Sequence, residues 1–289
     1  MACIEARGLR KTYGATVALD GIDLTVGEGR ILGLIGPNGA GKTTALNAIL
    51  GLTPCEGELS VLGRDPWAQR DRLMEEVAFI ADVAVLPRWI RVSQALDYVQ
   101  GVHPRFDRDA AEAFLDRTSI QRGRRVRELS KGMVAQLHLA LVMAIDARLL
   151  VLDEPTLGLD ILYRKAFYDT LLSDFFDGDR TIVVSTHEVD EIQHILTDVV
   201  FLGRGRIVLA ATVEELEARF VELAVRPEQL PAARALEPIH ERQVFDRSFL
   251  IYEGARRDDL AKLGELRSPG LADLFVAKLA PAPGARRAA

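Results

Sequence analysis

The stretch Gly36-Pro37-Asn38-Gly39-Ala40-Gly41-Lys42-Thr43-Thr44 decides the fold of this chain. It matches the pattern G-x-x-x-x-G-K-[ST], in which backbone amides and a lysine surround a phosphate group. The apolar run at 31–35 predicts a buried strand before the loop, and residues 45–50 predict the start of a helix after it. The sequence therefore predicts a strand, loop and helix that bind a nucleoside triphosphate.

The residue types of this loop fit the chemistry of phosphate binding. Gly36, Gly39 and Gly41 allow a tight turn with inward amides, and the helix N-terminus adds roughly half a positive charge. Lys42 can reach the β and γ phosphates, and the Thr43 hydroxyl can bind Mg²⁺. The alternative is a chance glycine-rich turn, which average residue frequencies produce in roughly one chain of this length in a hundred. The strand and helix around the loop favour the functional interpretation.

The composition limits the classes of protein to which the chain can belong. It has 289 residues, 48% hydrophobic and 27% charged, enough for one large domain and a smaller one. A formal net charge of −6 argues against a protein that coats nucleic acid, so we expect no direct nucleic-acid partner. Cys3 and Cys55 lack metal-site or disulfide-framework spacing, which favours a reducing cytoplasm. The longest apolar run, 139–145, is far shorter than the ~18 residues that span a bilayer.

The chain order predicts an α/β fold with accessory parts. Alternating runs predict antiparallel strands at 3–10 and 17–26 and another strand at 58–62. Residues 67–145 have a mostly helical pattern. Strands then alternate with helices, and we place the strands at 149–152, 181–185 and 199–202 and the helices at 161–176 and 188–196. This alternation predicts a parallel sheet covered by helices.

The pattern changes near residue 215. We expect a first domain over 1–215, a small C-terminal accessory region over 216–280 and a disordered tail over 281–289. In the accessory region we expect strands at 221–225 and 248–252 and a helix at 271–279.

Two acids follow the apolar run at 149–152. A buried strand that ends in Asp153 and Glu154 delivers carboxylates beside the predicted nucleotide. Asp153 would hold Mg²⁺, a hard cation that prefers oxygen ligands, and Glu154 would orient or deprotonate the attacking water. A solvated strand end is the alternative, and the phosphate loop makes the functional interpretation the better one.

The order of these segments resembles the ATP-binding subunit of an ABC transporter. Leu129-Ser130-Lys131-Gly132-Met133, just upstream of the Asp-Glu strand, takes the place of the family's signature, usually LSGGQ. The stretch Pro155–Asp160 resembles its D-loop, and Thr186-His187 resembles its switch histidine. Tyr13 matches the aromatic residue that stacks on adenine.

The resemblance covers residues 1 to about 215. It implies a P-loop NTPase fold with a RecA-like core, an antiparallel β subdomain and an α-helical subdomain at about 83–145. It implies ATP and Mg²⁺ as ligands, with Lys42, Glu154 and His187 in catalysis. Also implied is a head-to-tail dimer, in which Ser130, Lys131 and Gly132 contact the second subunit's nucleotide and Asp160 spans the interface. The expected partner is a membrane permease, which would hold the chain at the inner face of the cell membrane.

Taken alone, several of these residues have plainer interpretations. Tyr13 is more often a strand or core aromatic, and His187 is more often a satisfied polar residue. Ser130 and Gly132 at a helix start are usually only a cap, although a helix N-terminus also binds phosphate.

The chain departs from the family pattern at two site positions. Asp82 stands where the family has a glutamine that contacts Mg²⁺, and we expect its carboxylate to bind the metal with Thr43 and Asp153. Lys131 replaces a glycine of the signature, where it either strengthens the closed dimer or lies in solvent.

Outside the site, two features remain open. Trp89 is either a permease contact or a core residue. The basic residues Arg122, Arg124, Arg125 and Arg127 indicate either an acidic partner or a solvated surface, and the solvated surface is favoured.

The sequence is compatible with three functions, of which an exporter subunit is favoured. The short Lys-Gly-Met signature and modest C-terminal region resemble ABC-2 type export systems. One rival is a soluble ABC ATPase that acts on ribosomes or DNA, which the single catalytic domain and lack of long coiled coils disfavour. The other is a regulatory module that hydrolyses little ATP, which the acid at position 82 keeps open.

Overall fold

The computed structural model describes residues 2–81 and 86–279. Its strands are β1 (Ala2–Tyr13), β2 (Thr16–Gly27), β3 (Ile31–Ile35), β4 (Glu56–Val61), β5 (Val77–Ile80), β6 (Leu149–Asp153), β7 (Thr181–Thr186), β8 (Asp198–Gly203), β9 (Arg206–Thr212), β10 (Phe220–Val225), β11 (His240–Val244), β12 (Arg247–Glu253) and β13 (Glu265–Arg267). Its helices are α1 (Lys42–Ile49), α2 (Arg70–Leu73), α3 (Val92–Val102), α4 (Arg108–Asp116), α5 (Lys131–Met143), α6 (Ile161–Thr170), α7 (Val213–Arg219), α8 (Leu230–Arg234), α9 (Arg257–Ala261) and α10 (Leu271–Leu279).

A six-stranded sheet with the order β5-β6-β7-β3-β8-β9 carries the site. The first five of these strands are parallel, and β9 is an antiparallel edge. Every residue of β3, β6 and β7 is buried, which is typical of a parallel sheet covered on both faces. The predicted α/β fold with a parallel sheet covered by helices is confirmed.

The register of the sheet brings three strand ends together. Ile35 at the end of β3 lies beside Thr186 of β7, and Asp153 at the end of β6 lies beside Ser185. The segments that follow these three strands therefore start side by side at one edge, where open α/β sheets bind their ligands.

The predicted antiparallel part is a three-stranded sheet with the order β2-β1-β4. Its inner face packs on α1 and on one face of the central sheet, with Leu9 and Leu19 buried alongside Leu46 and Ile49. This sheet therefore supports the phosphate loop from outside the central sheet.

Three helices, α3, α4 and α5, form a helical unit with its own core. That core includes Leu96 of α3, Leu115 of α4 and Leu137 of α5. The prediction of a mostly helical stretch at 67–145 is wrong in one place, because β5 joins the central sheet beside β6. Its four residues show too little periodicity to be told from a helix, and pairing with a strand some 70 residues later decides their structure.

The predicted helix at 188–196 is also wrong. The segment contains a single 3₁₀ turn, Val189–Glu191. Buried Ile192, Ile195 and Leu196 give the helix-like spacing that led to the prediction. The chain must enter β8 directly afterwards, where the Thr197 backbone amide donates to the Ile31 carbonyl at 2.9 Å.

The C-terminal region is a four-stranded antiparallel sheet with the order β11-β12-β10-β13 and a small core of its own. The strands predicted at 221–225 and 248–252 and the helix at 271–279 are confirmed, whereas the short polar strands β11 and β13 were missed. Helix α10 packs back on the central domain, with the ring centroids of Phe275 and Phe201 5.2 Å apart. The predicted tail lies outside the described residues.

Replacing Tyr252 by Phe tests the core of the C-terminal sheet. The Tyr252 hydroxyl donates to the buried Ala233 carbonyl at 2.7 Å, and the Leu236 amide donates to the same oxygen at 3.1 Å, so removal of the hydroxyl takes away one of these two hydrogen bonds. We expect the free energy of unfolding to fall by about 0.5 to 1.5 kcal/mol in chemical denaturation, which is the usual net contribution of one hydrogen bond. Tyr98→Phe is the matched control, because Tyr98 is 65% exposed. Equal stability of the two variants would contradict the role of this hydrogen bond.

Candidate active site

The loop at 36–44 turns tightly between β3 and α1. Gly41 has φ +107°, and a Cβ on it would lie 2.5 Å from the Ala18 carbonyl oxygen. A Cβ on Gly36 would lie 2.6 Å from the Leu202 carbonyl oxygen. Glycine is therefore required at both positions by the close approach of neighbouring backbone. At the tip of the loop Pro37, Asn38 and Gly39 are exposed, whereas Ala40 is buried and Thr44 is half-buried.

Lys42, the first residue of α1, points back into this loop. Its side chain is buried, and Nζ donates to the Gly36 carbonyl at 2.7 Å. The same ammonium lies 3.1 Å from Oε1 of Glu154. A buried cation thus stands at the helix N-terminus, where anion binding is favoured.

Asp153 and Glu154 follow β6, as the sequence predicts. Asp153 is buried, and the Ser185 hydroxyl donates to its Oδ1. Glu154 has φ +47°, a conformation that costs a non-glycine residue about 1 to 3 kcal/mol. Its backbone amide donates to the Ser185 carbonyl at 3.2 Å and to the Ser185 hydroxyl at 3.1 Å. Ser185 therefore holds both acids in place.

His187 lies directly after β7 and reaches the same carboxylate. Its Nδ1 is 2.9 Å from Oε2 of Glu154. The structure therefore brings together Lys42, Glu154 and His187, three residues predicted to act in catalysis, with the carboxylate between the two nitrogen-bearing groups.

The oxygen groups beside the loop fit Mg²⁺. Thr43, the second residue of α1, has an exposed side chain. Asp153 accepts one bond from Ser185 through Oδ1, which leaves Oδ2 available. A hydroxyl and a carboxylate are hard ligands of the kind that Mg²⁺ prefers. The third predicted ligand, Asp82, lies outside the described residues.

Tyr13 is the last residue of strand β1 and is 50% exposed, so it is a strand aromatic and a core position is wrong for it. The Lys11 ammonium lies 5.1 Å from the centroid of its ring. An exposed ring of this kind can stack on a nucleobase, and its role toward adenine stays a prediction.

The predicted signature and D-loop pack against each other within the chain. Ser130 caps α5 through the Met133 amide at 3.2 Å. Gly132 lies under a ring of α6, because a Cβ on it would be 2.8 Å from Tyr163. A Cβ on Gly158 of the D-loop would lie 3.7 Å from the Lys131 ammonium. Ser130 and Lys131 themselves remain exposed, on one surface with the D-loop.

Asp160 ends the D-loop and caps α6. Its Oδ1 accepts from the Leu162 and Tyr163 amides, each at 3.1 Å. The side chain therefore has a defined local role, and its place at a subunit interface stays a prediction.

Two further sequence interpretations concern the surface. Trp89 is 67% exposed, so a core role is wrong for it. Arg122 is half-buried and paired with Glu112 at 2.7 Å and with Asp116, which ties the end of α4 to the segment before the signature.

Sequence reasoning missed Ser185 and Arg164 as site residues. The only pattern that could have pointed to Ser185 is a polar residue near the end of an apolar strand. Arg164 donates through Nε to the Leu159 carbonyl at 2.7 Å and contacts Glu188 and Glu191, which no local pattern predicts.

A strand, a glycine-rich loop with a buried lysine and two acids on a neighbouring parallel strand define a P-loop nucleotide-binding protein. Residues 19–157 match the model of the family described as ABC transporter. In the described ranges, 2–81 and 86–279, we find no helix with the length and apolarity that a membrane crossing requires.

Relatives and solved structures agree with this match. "Daunorubicin resistance ATP-binding protein DrrA3" of Streptomyces coeruleorubidus is 32% identical over 82% of this chain and 78% of its own length. "Nod factor export ATP-binding protein I" of Cupriavidus metallidurans is 33% identical over 74% of this chain and 73% of its own. A solved ATP-binding subunit of an ABC transporter shares the fold, with a TM-score of 0.67 and 24% identity over 75% of this chain and 92% of that one. The chain belongs to the ABC transporter family as an ATP-binding subunit, a class of ATPases.

Replacing Gly41 by Ala tests the geometry of the phosphate loop. The added methyl meets the Ala18 carbonyl and the backbone is held at positive φ, so the loop must move. We expect ATP affinity to fall about tenfold or more, which corresponds to 1.4 kcal/mol or more of strain, in titrations with a fluorescent ATP analogue. Gly101→Ala is the control, because a Cβ there meets nothing within 4 Å. Normal binding by Gly41→Ala would contradict the loop assignment.

Proposed function

We propose that this chain binds ATP with Mg²⁺ and hydrolyses it in a head-to-tail dimer, and that this cycle drives a separate membrane permease. The observation that carries the proposal is the position of Glu154, whose carboxylate contacts both Lys42 and His187. The membrane permease is the partner implied for ATP-binding subunits of transporters.

The Glu154 contacts suggest how the site responds to nucleotide. The Lys42 ammonium contacts the Glu154 carboxylate, and an arriving γ phosphate competes for the same ammonium. Glu154 is then free to orient or deprotonate a water molecule, with His187 still within hydrogen-bond reach of it. Lys42 also stabilises the charge that develops on the transferred phosphoryl group.

Mg²⁺ belongs in this proposal because the Thr43 hydroxyl and the Asp153 carboxylate are available beside the loop. The ion neutralises phosphate charge when it is bound. Ser185 orients Asp153, and in this way acts on the metal site from β7.

A second subunit is supported by the exposed surface that the signature and the D-loop form together. Ser130 caps a helix N-terminus, where backbone amides can receive a phosphate. Lys131 adds a cation on that surface, beside Gly158. In the proposed dimer these residues contact the nucleotide of the second subunit, and Asp160 lies at the interface.

The permease places the chain at the cytoplasmic face of the membrane. Trp89, with 67% of its surface exposed at the edge of the helical unit, is our candidate for the contact. The resemblance to ABC-2 type systems, together with relatives named for drug resistance and Nod factor export, favours an exporter.

Replacing Glu154 by Gln tests the proposed base. We expect the rate of ATP hydrolysis to fall by about 10² to 10⁴, because an amide cannot accept the proton of water. ATP binding is retained or strengthened, because a negative charge near the γ phosphate is removed. Phosphate release and nucleotide titration measure the two effects. Glu75→Gln, at an exposed glutamate, is the control. Normal turnover by Glu154→Gln would overturn the assignment.

Mixing two inactive variants tests whether the signature acts on the other subunit. Lys42→Ala removes the ammonium that binds the phosphates, and Ser130→Arg places a large side chain at the signature. When the two variants are mixed at random, half of the dimers contain one subunit of each variant. Such a dimer has one intact site, formed by the phosphate loop of the Ser130→Arg subunit and the signature of the Lys42→Ala subunit, and one site that is defective. About a quarter of the wild-type rate is therefore expected. A signature that acts within its own chain leaves this mixture inactive. A mixture of Lys42→Ala with Glu154→Gln is the negative control, because it contains no intact site under either arrangement.

A further inference from the structure

Arg164, one turn into α6, joins two segments that flank the site. Its Nε donates to the Leu159 carbonyl of the D-loop at 2.7 Å. Its Nη1 donates to the carboxylates of Glu188 and Glu191, which stand after β7. One guanidinium therefore holds the D-loop backbone and the segment that follows His187.

The contacts continue from Glu188 to the reacting groups. Glu188 is next to His187 in the chain, and its backbone amide donates to the Thr186 hydroxyl at 2.9 Å. The Nδ1 atom of His187 lies 2.9 Å from Glu154. A path of direct contacts thus leads from Leu159 through Arg164 to the proposed catalytic pair.

The electrostatics of this cluster make Arg164 hard to replace. Burial raises the pKa of Glu191, and the neighbouring Glu188 adds to the rise while Arg164 opposes it. The hydrogen bond that Arg164 donates to Glu191 is the largest cause of the raised pKa of Arg164, so the guanidinium stays charged. Two carboxylates share this one cation, and without it they would repel each other and release the segment after His187.

A lysine cannot reproduce the arrangement. The guanidinium is a planar fork that reaches the carbonyl through Nε and the carboxylates through Nη1 at the same time. A lysine keeps the charge but has a single nitrogen on a flexible stem. The Arg164→Lys variant therefore keeps the positive charge but loses the simultaneous contacts with the Leu159 carbonyl and the two carboxylates.

We infer that Arg164 is a positioning residue that transmits the position of the D-loop to His187. This inference rests on the proposed function, in which the D-loop lies at the subunit interface. When the second subunit displaces Leu159 and Asp160, Arg164 carries that movement to Glu188 and sets His187 against Glu154. Docking of the partner is thereby linked to hydrolysis, and ATP binding does not depend on Arg164.

Kinetics of the full chain test this inference. We expect Arg164→Gln and Arg164→Lys to lower kcat about ten- to hundredfold, as misplacement of a catalytic group does, with KM and ATP affinity within about twofold of wild type. Arg180→Gln is the matched control, because Arg180 also pairs with two carboxylates, Asp146 and Asp177, and is similarly exposed. Unchanged kcat in both Arg164 variants, or an equal loss in the Arg180 control, would overturn the inference.

A second measurement, NMR of the histidine rings, does not depend on ATP hydrolysis. The chain has five histidines, so a histidine-labelled sample gives a small set of ring resonances, and His187→Gln assigns the one of interest. We expect Arg164→Gln to shift the His187 resonance, although Arg164 does not touch that ring, and Arg180→Gln to leave it in place. An unmoved His187 resonance in Arg164→Gln would refute the coupling. Absence of ATP hydrolysis by the wild type would refute the proposed function instead, and the resonance would still decide the role of Arg164.

Discussion

Parallel pairing of β3 and β6 with the two edges of β7 is the constraint on which the site depends. It places the phosphate loop, the acid pair and His187 at one edge of the sheet, although they are far apart in the chain. A slip of either pairing by one residue would turn the side chains at the strand ends to the opposite face. The fully buried strands make such slips costly, and the covering layers on both faces, including α10 from the C-terminal region, therefore also support the catalytic geometry.

Charge balance is the second requirement of the site. Lys42 and Glu154 are both largely buried, and a buried ion is stable only when it is paired or hydrogen-bonded. They pair with each other through Oε1 of Glu154, and His187 contacts Oε2 of the same carboxylate. In the proposed cycle, nucleotide binding exchanges this ion pair for contacts with phosphate, and the exchange makes the Glu154 carboxylate available for chemistry.

Local patterns predicted most of the fold and of the candidate site. The loop, the acid pair after β6 and the strands of the core are contiguous stretches whose chemistry is evident from a few neighbouring residues. Strand β5 was missed because its pairing with β6 is long-range, and the segment after His187 was assigned to a helix because its buried residues have helical spacing. Ser185 and Arg164 were missed because their partners lie in other segments.

The sequence by itself determined that this protein binds a nucleotide, where its lysine and its acids stand, and that strands alternate with helices around them. Those features depend on residue type and on spacing within a few turns or strands. Only the tertiary structure decided that Glu154 stands between Lys42 and His187, that Ser185 holds both acids, and that Arg164 joins the D-loop to the segment after β7. These long-range contacts depend on strand register and on helix packing, which are set by the whole core rather than by any one stretch of the chain.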